Sequence, residues 1–351
     1  MISAVVVNWN GASYLGPCLR ALLAQDPPVD EVLLIDNHSS DGSREQVARD
    51  FPEVRIVDTG ANLGAAAARN RGLQEARGEL VLLLDNDVEL EAGALAALKR
   101  ALDDDPACAL VQVRSVVADR PEMLHYDAAD LHYLGTLILH GFFRPIDPNE
   151  RGHREVGAFV ALGFLTRREV CLPVGAFDPD LFILYEDNDL SWRLRMHGHR
   201  IRLAMDARAR HHAGTAGLSF RAPTARYASR RAYLHARNRW LVLLQCARWR
   251  TLVLTLPAQL LYAAVYAGFA LSRGGFLAAL RGNFAALLAL PRVMRRRRLQ
   301  RGRKVADRSI LCCMPMTANP GLADRGGKAV LRRTLDRAFG AWWKLTRWAC
   351  G

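Results

Sequence analysis

Three groups of side chains in this sequence have the types and spacing to do chemistry. The first is Asp85-Asn86-Asp87, which follows the apolar run Val81–Leu84. Two carboxylates two residues apart on a strand point to the same side. Held together without a partner they repel, so the pair calls for a cation or hydrogen-bond donors. A divalent metal on a phosphate-bearing ligand answers that need. The plainer alternative is that these acids begin a turn and cap a helix near residues 91–102. The second group is Glu186, Asp187 and Asp189, after the apolar run Phe182-Ile183-Leu184. A helix dipole favours acids in its first turn, which accounts for one or two of the three. The third is the tandem pair His211-His212, only mildly suggestive beside glycine.

The elements needed to position these groups follow from the hydrophobic pattern. Ile2–Val7 is a buried-strand run, and Tyr14, Leu15, Leu19, Leu22 and Leu23 recur at helical spacing. Glu31–Ile35 reads as a second strand, followed by a polar loop with Ser43 or Asp41 as a helix N-cap. Residues 54–57 form a third strand, 65–76 an alanine-rich helix and 79–84 a fourth strand. Residues 107–113 form another. Strand and helix alternate, which implies a parallel sheet with right-handed crossovers. Its strands end in polar residues: Asn8 and Asn10, Asp36 and Asn37, Asp85 and Asp87. Open α/β sheets bind ligands at such carboxyl ends. No G-x-G-x-x-G follows the first strand, which disfavours a dinucleotide-binding dehydrogenase. Residues 144–157 read as a polar, flexible binding loop, and 201–204 as a late strand.

Charge is distributed unevenly. Residues 1–206 carry 20 Lys+Arg and 32 Asp+Glu, whereas 207–306 carry 20 basic residues and no acid. Within the basic part, residues 251–272 form an uncharged apolar stretch, near the length that crosses a bilayer, though Pro257 and Gly268 interrupt it. Two shorter apolar pieces (276–280 and 284–290) and the arginine cluster 292–298 follow. Basic clusters beside apolar helices suit an anionic membrane surface. Nucleic acid is the rival partner, and it loses because no stacking platform or RNA-binding motif is present. In the tail, Leu331, Leu335, Ala338, Trp342 and Leu345 share one helical face. Seven cysteines without a C-x-x-C pair suit reduced thiols in the cytosol, and Met1 leads straight into a strand without a signal-peptide pattern.

The motifs VVVNWNG (5–11), EVLLIDNHSSDGS (31–43), NLGAAAARNRG (62–72), VLLLDNDVEL (81–90), ILYEDNDLSWRLRMHGHRI (183–201), RHHAGT (210–215) and RNRW (237–240) stand in an order that resembles inverting glycosyltransferases of family 2. The V-V-x-N-W-N-G opening looks most like the bacterial rhamnosyltransferase-type subgroup, although that subgroup often has N-P-D where this chain has Asp85-Asn86-Asp87. The resemblance implies an α/β GT-A fold, Rossmann-like and mostly parallel, over residues 1–220. Its nucleotide-sugar half would be about 1–115 and its acceptor half 116–220. A basic, apolar helical membrane-associated region (221–306) and a basic amphipathic tail (307–351) would follow.

The same resemblance implies the roles. Asp87 and His211 would hold Mg²⁺ or Mn²⁺, with His212 the alternative. Asp85 would sit nearer the ribose or reach the metal indirectly, and Asp36 would accept from the base. Asn8, Asn10 and Asn70 would line the nucleotide-sugar pocket. Asp187 would be the catalytic base and Glu186 would orient it or the acceptor. The implied reaction moves rhamnose or a hexose from a nucleotide-diphosphate sugar to a polyprenyl-linked glycan at the cytoplasmic face of the inner membrane. The chain would be peripheral there, or held by a single transmembrane helix. An inactive scaffold of the same fold and a sugar nucleotidyltransferase are the alternatives.

Overall fold

A computed structural model describes residues 1–212, 229–317 and 326–351. Residues 213–215 of the RHHAGT motif and the boundary expected near 220 lie outside them. The first hundred residues alternate as expected: β1 (Ile2–Asn8), α1 (Ala12–Leu23), β2 (Glu31–Asp36), α2 (Ser43–Asp50), β3 (Arg55–Asp58), α3 (Gly64–Glu75) and β4 (Leu80–Asp85). Then come β5 (Val88–Leu90), α4 (Ala94–Asp103), β6 (Cys108–Val117), β7 (Arg120–Tyr126), β8 (Ala129–Leu131), β9 (Leu137–Leu139), β10 (His153–Val156) and β11 (Gly163–Arg167). After α5 (Arg168–Cys171) and α6 (Glu186–Met196), the long β12 (Arg200–His211) completes the sheet.

The strands lie in the order β10-β12-β6-β11-β4-β1-β2-β3. The block β4-β1-β2-β3 is parallel throughout. Beyond it β11 runs antiparallel to both β4 and β6, while β12 runs parallel to β6. The parallel half is the part that alternating helices predict. Two cores of buried Val, Leu, Ile and Ala cover its two faces, as burial on both sides of a parallel sheet requires.

Several local expectations change. The acids at 85 and 87 cap no helix, because β5 intervenes and α4 starts after Gly93. Gly42, at φ 80°, occupies the N-cap of α2 instead of Ser43 or Asp41, whose carboxylate accepts from the Ser43 N–H. The polar stretch 144–157 contains β10, which pairs with β12. The late strand runs on to His211, well past residue 204.

The C-terminal part is helical: α7 (Ser229–Cys246), α8 (Trp249–Ser272), α9 (Phe276–Leu288), α10 (Leu290–Leu299), the short α11 (Asp307–Ile310) and α12 (Gly327–Thr346). Neither Pro257 nor Gly268 breaks α8, and the two apolar pieces after it join in α9. The tail helix buries Phe339, Trp343 and Thr346, leaving Leu331 and Leu345 exposed. Its inward face is thus rotated from the one expected, because it packs on Tyr133 through Trp343, rings stacked at 4.8 Å. A third core joins Tyr133, Leu134 and Trp192 to Leu241, Leu243, Phe339 and Trp343. The helices therefore share one interior with the second half of the sheet domain.

Candidate active site

The strand ends and the start of α6 surround one cleft of about 320 Å³. Of the sequence-derived candidates, Asn10, Asp85, Asp87, Glu186, Asp187 and His211 line it. Asn8, Asp36 and Asn70 do not.

Asn8 and Asp36 are side by side in the β1–β2 register, both fully buried. Asn8 donates to Asp36 (2.8 Å), Ser43 (2.9 Å) and Ser39 (3.1 Å), and accepts from the Asn86 amide at 2.7 Å. Asp36 also accepts from the Ser39 N–H (2.8 Å) and hydroxyl (2.6 Å). Both side chains are spent on fixing loops. Gly11 lies against this knot: a Cβ there would stand 1.9 Å from the Asn86 amide. Asn70 uses both ends of its amide on the backbone of Phe177 (2.8 and 2.9 Å), which ties α3 to the segment leading to α6. Facing the cleft instead is Asn37, whose amide bonds the Gly64 carbonyl and the Leu63 N–H.

Arg69, in the middle of α3, was not singled out from sequence. It is 4 % exposed. One nitrogen donates to Asp85 at 2.7 Å and the other to Glu186 at 2.8 Å. The three charges settle one another. Burial and the nearby Asp87 still push the Asp85 carboxyl up to about 6, against the pull of Arg69. Glu186 Oε2 is buried with no hydrogen-bond partner among the described residues. Asp187 accepts from the Asn188 N–H at 2.8 Å. Its carboxyl is held well above the usual carboxylate range, first by burial and then by the charge of Glu186. The third acid, Asp189, is structural. It is fully buried, pairs with Arg193 and accepts from Gln245 at 3.0 Å.

β5 pairs with β12 so that Val88 faces His211, which brings His211 Nε2 to 3.4 Å from Asp87 Oδ2. His212 turns to Glu89, at 2.5 Å. The other ring nitrogen of His211 meets His125 Nδ1 at 2.8 Å, a partner on β7 that no motif marks. Among the described residues, no three His, Cys, Asp or Glu side chains form a metal cage. Asp87 and His211 offer two donors. Mg²⁺ and Mn²⁺ are commonly held by one or two protein ligands and complete their shell with substrate phosphates and water, so the donor set fits such an ion. Asp85, engaged by Arg69, would reach such an ion only indirectly.

The segment before α6 is held under strain. Phe182, Leu184 and Tyr185 have φ of 63°, 69° and 76°, a region costing about 1–3 kcal/mol for non-glycine residues. The RNRW motif restrains it. Fully buried Asn238 donates to the carbonyls of Leu181 and Leu184, each at 2.8 Å, and Arg237 donates to that of Asp180 at 2.6 Å. On the other side, the Phe182 carbonyl accepts from the Ala66 N–H at 3.1 Å. This approach needs Gly64, at φ 84°, where a Cβ would lie 2.5 Å from that oxygen. Arg230, over the Phe182 ring at 4.8 Å, adds a cation to the cleft.

Comparison with known proteins gives a family match over the first half of the chain. Residues 3–170 match the model described as glycosyl transferase family 2. An N-acetylglucosaminyl-diphospho-decaprenol L-rhamnosyltransferase of Mycobacterium tuberculosis is 28% identical over 237 residues, 60% of this chain and 76% of that one. Among solved structures, GalNAc-T7 with UDP, GalNAc and Mn2+ matches with TM-score 0.52 at 18% identity, over 60% of this chain and 43% of that longer one. The mannosyltransferase PcManGT of Pyrobaculum calidifontis, in complex with GDP-Man and Mn2+, matches with TM-score 0.50 at 19% identity, over 86% and 85%. The sheet, its helices and the family match agree: residues 3–170 carry the glycosyl transferase family 2 match, within a sheet domain that has the GT-A fold.

Proposed function

We propose that the chain is an inverting, divalent-metal-dependent glycosyltransferase. It moves rhamnose or a hexose from a nucleotide-diphosphate sugar to a hydroxyl of a polyprenyl-linked or cell-surface glycan. It works at the cytoplasmic face of the inner membrane, as a peripheral protein. The observation that carries this reading is that Asp85, Asp87 and His211 share one cleft with Glu186 and Asp187, far along the chain. The rhamnosyltransferase relative, named for a decaprenol-linked acceptor, supports the choice of acceptor.

The residues divide the work. Asp87 and His211 would hold Mg²⁺ or Mn²⁺, which when bound neutralises charge on the departing diphosphate. Asn10 and Asn37 line the nucleotide side, and Asp85, steadied by Arg69, lies between it and the sugar. Glu186 presents Oε2 to the acceptor hydroxyl while Arg69 grips its other oxygen. Asp187 takes the hydroxyl proton as that oxygen attacks the anomeric carbon from the side opposite the diphosphate. A single displacement inverts the configuration, and one base suffices. Its raised proton affinity suits the task, since a carboxylate of ordinary acidity is a poor proton acceptor near neutrality.

The decisive variant is Asp187→Asn. Nucleotide-sugar binding stays near wild type, while transfer falls by about 10²–10⁴. Transfer at the wild-type rate would remove Asp187 as the base. The donor is identified by calorimetry with dTDP-rhamnose, UDP-hexoses and GDP-mannose, with and without Mn²⁺.

A further inference from the structure

The helix α8 is amphipathic in the reverse of the usual sense. Its inward residues include Thr251, Thr255, Gln259 and Tyr262, all buried. Gln259 donates to the Tyr133 carbonyl at 2.8 Å and accepts from Arg239 at 2.6 Å, and Tyr262 meets His235 at 3.1 Å. Its outward face carries Trp249, Val253, Leu256, Leu260, Leu261 and Leu271, between 43% and 69% exposed. The adjoining α9 follows the same plan. Ala279, Gly282 and Ala286 face inward, while Leu277, Leu280, Phe284, Leu287 and Leu288 are 55–67% exposed. An apolar face of this extent in water is unusual without a partner.

Charge selects the partner. Residues 207–306 contain no acid. On α10, Arg296 and Arg297 turn inward, to Asp178 and to the Leu244 carbonyl. Arg295 and Arg298, three residues apart, stay exposed, as does Arg281 on α9, while exposed Arg292 pairs with Asp180 at 3.6 Å. A second copy of this face would bring arginine against arginine with no acid between. An anionic bilayer accepts both the leucines and the arginines.

The length and hydropathy of α8 also suit a transmembrane span, but its packing does not. The midpoint is fastened to the sheet domain through Gln259, and Trp342 of α12 donates to the Leu254 carbonyl at 3.0 Å. A crossing helix would carry Arg239 and the strands behind it into hydrocarbon, where backbone and charge cannot be solvated.

We propose that α8 and α9 lie in the plane of an anionic membrane, leucines embedded and the α10 arginines on the headgroups, without crossing it. This surface deepens the membrane location proposed above and rests on it. It is tested on the full chain by flotation with phosphatidylcholine vesicles, with and without phosphatidylglycerol at about one part in three. Binding is expected only with the anionic lipid. The pair Leu256→Asp and Leu260→Asp, and separately Arg295→Gln with Arg298→Gln, weaken it by at least about tenfold with unchanged circular dichroism, as expected for exposed positions. Alkaline carbonate releases the chain from cell membranes; retention there overturns the in-plane placement. Equal binding to both vesicles overturns the anionic selectivity assigned to the arginines, and leucine variants that alter only the mass in light scattering overturn the lipid surface in favour of a second copy. Transfer to a soluble acceptor by a chain that binds no vesicle removes this surface and leaves the reaction standing. Vesicle binding without transfer does the reverse.

Discussion

Arg69 and Glu186 stand 117 positions apart in the chain and meet at 2.8 Å. The same guanidinium holds Asp85 at 2.7 Å, so one buried cation joins the end of β4 to the start of α6. Removing one partner of a buried charge set costs about 3–5 kcal/mol, because the others are left uncompensated. Arg69→Leu should therefore lower Tm by several degrees and lower kcat/KM together. Arg69→Lys, a single point charge that cannot fork, should recover stability more than activity. Melting curves and steady-state rates on both variants check this, and an unchanged Tm for Arg69→Leu would show the link to be unimportant.

Asp187 prefers its proton in the folded state, which sets two opposed trends. A base must be ionised to work, so transfer should decline as pH falls through a value well above the ~4 of a free aspartate. Glu186→Gln removes the neighbouring negative charge and should move that acid limb to lower pH, whatever it does to the maximum rate. Ionising a group whose folded affinity for the proton is raised also costs stability at pH above the raised value. Asp187→Asn should thus melt higher than wild type in mildly alkaline buffer, and the gain should fade as pH approaches ~4. A pH-independent difference in Tm would contradict this.

The pair Asp87 and His211 is expected to set metal-dependent nucleotide affinity. Asp87→Asn and His211→Ala should each weaken Mn²⁺-dependent binding of a nucleoside diphosphate by about 10–100-fold. His125 touches the second nitrogen of His211, so His125→Phe should produce a smaller loss in the same assay. Binding unaffected by chelator in wild type would take the metal out of this site.

Asn238 does not itself line the cleft, yet its amide holds three carbonyls of the strained segment leading to Glu186. Asn238→Asp removes the donors and sets a negative charge against those carbonyls. Small displacements of catalytic groups can cost about 10² in rate, so kcat should fall by that order while donor KM changes little. A parallel rise in donor KM would mark a general structural role.

What the sequence revealed and hid follows from the range of the interactions. The strands β1, β2 and β4 and the acids at their ends were legible because apolar runs and polar ends are local patterns. The acids Glu186 and Asp187 were legible for the same reason. Arg69 was not, since an arginine in an alanine-rich helix looks solvated until the chain places Asp85 and Glu186 beside it. Asn70 misled in the opposite direction: the family resemblance set it in the pocket, and the fold spends it on Phe177. Pro257 reads as an interruption of the apolar stretch, but it sits on the outward face of α8, with the helix continuous on either side.

The clamp formed by Arg237 and Asn238 also decides how such enzymes can be recombined. A graft that exchanged only the sheet domain, cut after β12, would separate the acceptor segment from the helix that holds its backbone. The transplantable unit extends at least through Cys246 of α7, whose far side meets α8 and α9 through Gln259 and Asn283. A chimera that takes the segment before α6 from one parent must therefore take α7 and the helices packed on it from the same parent.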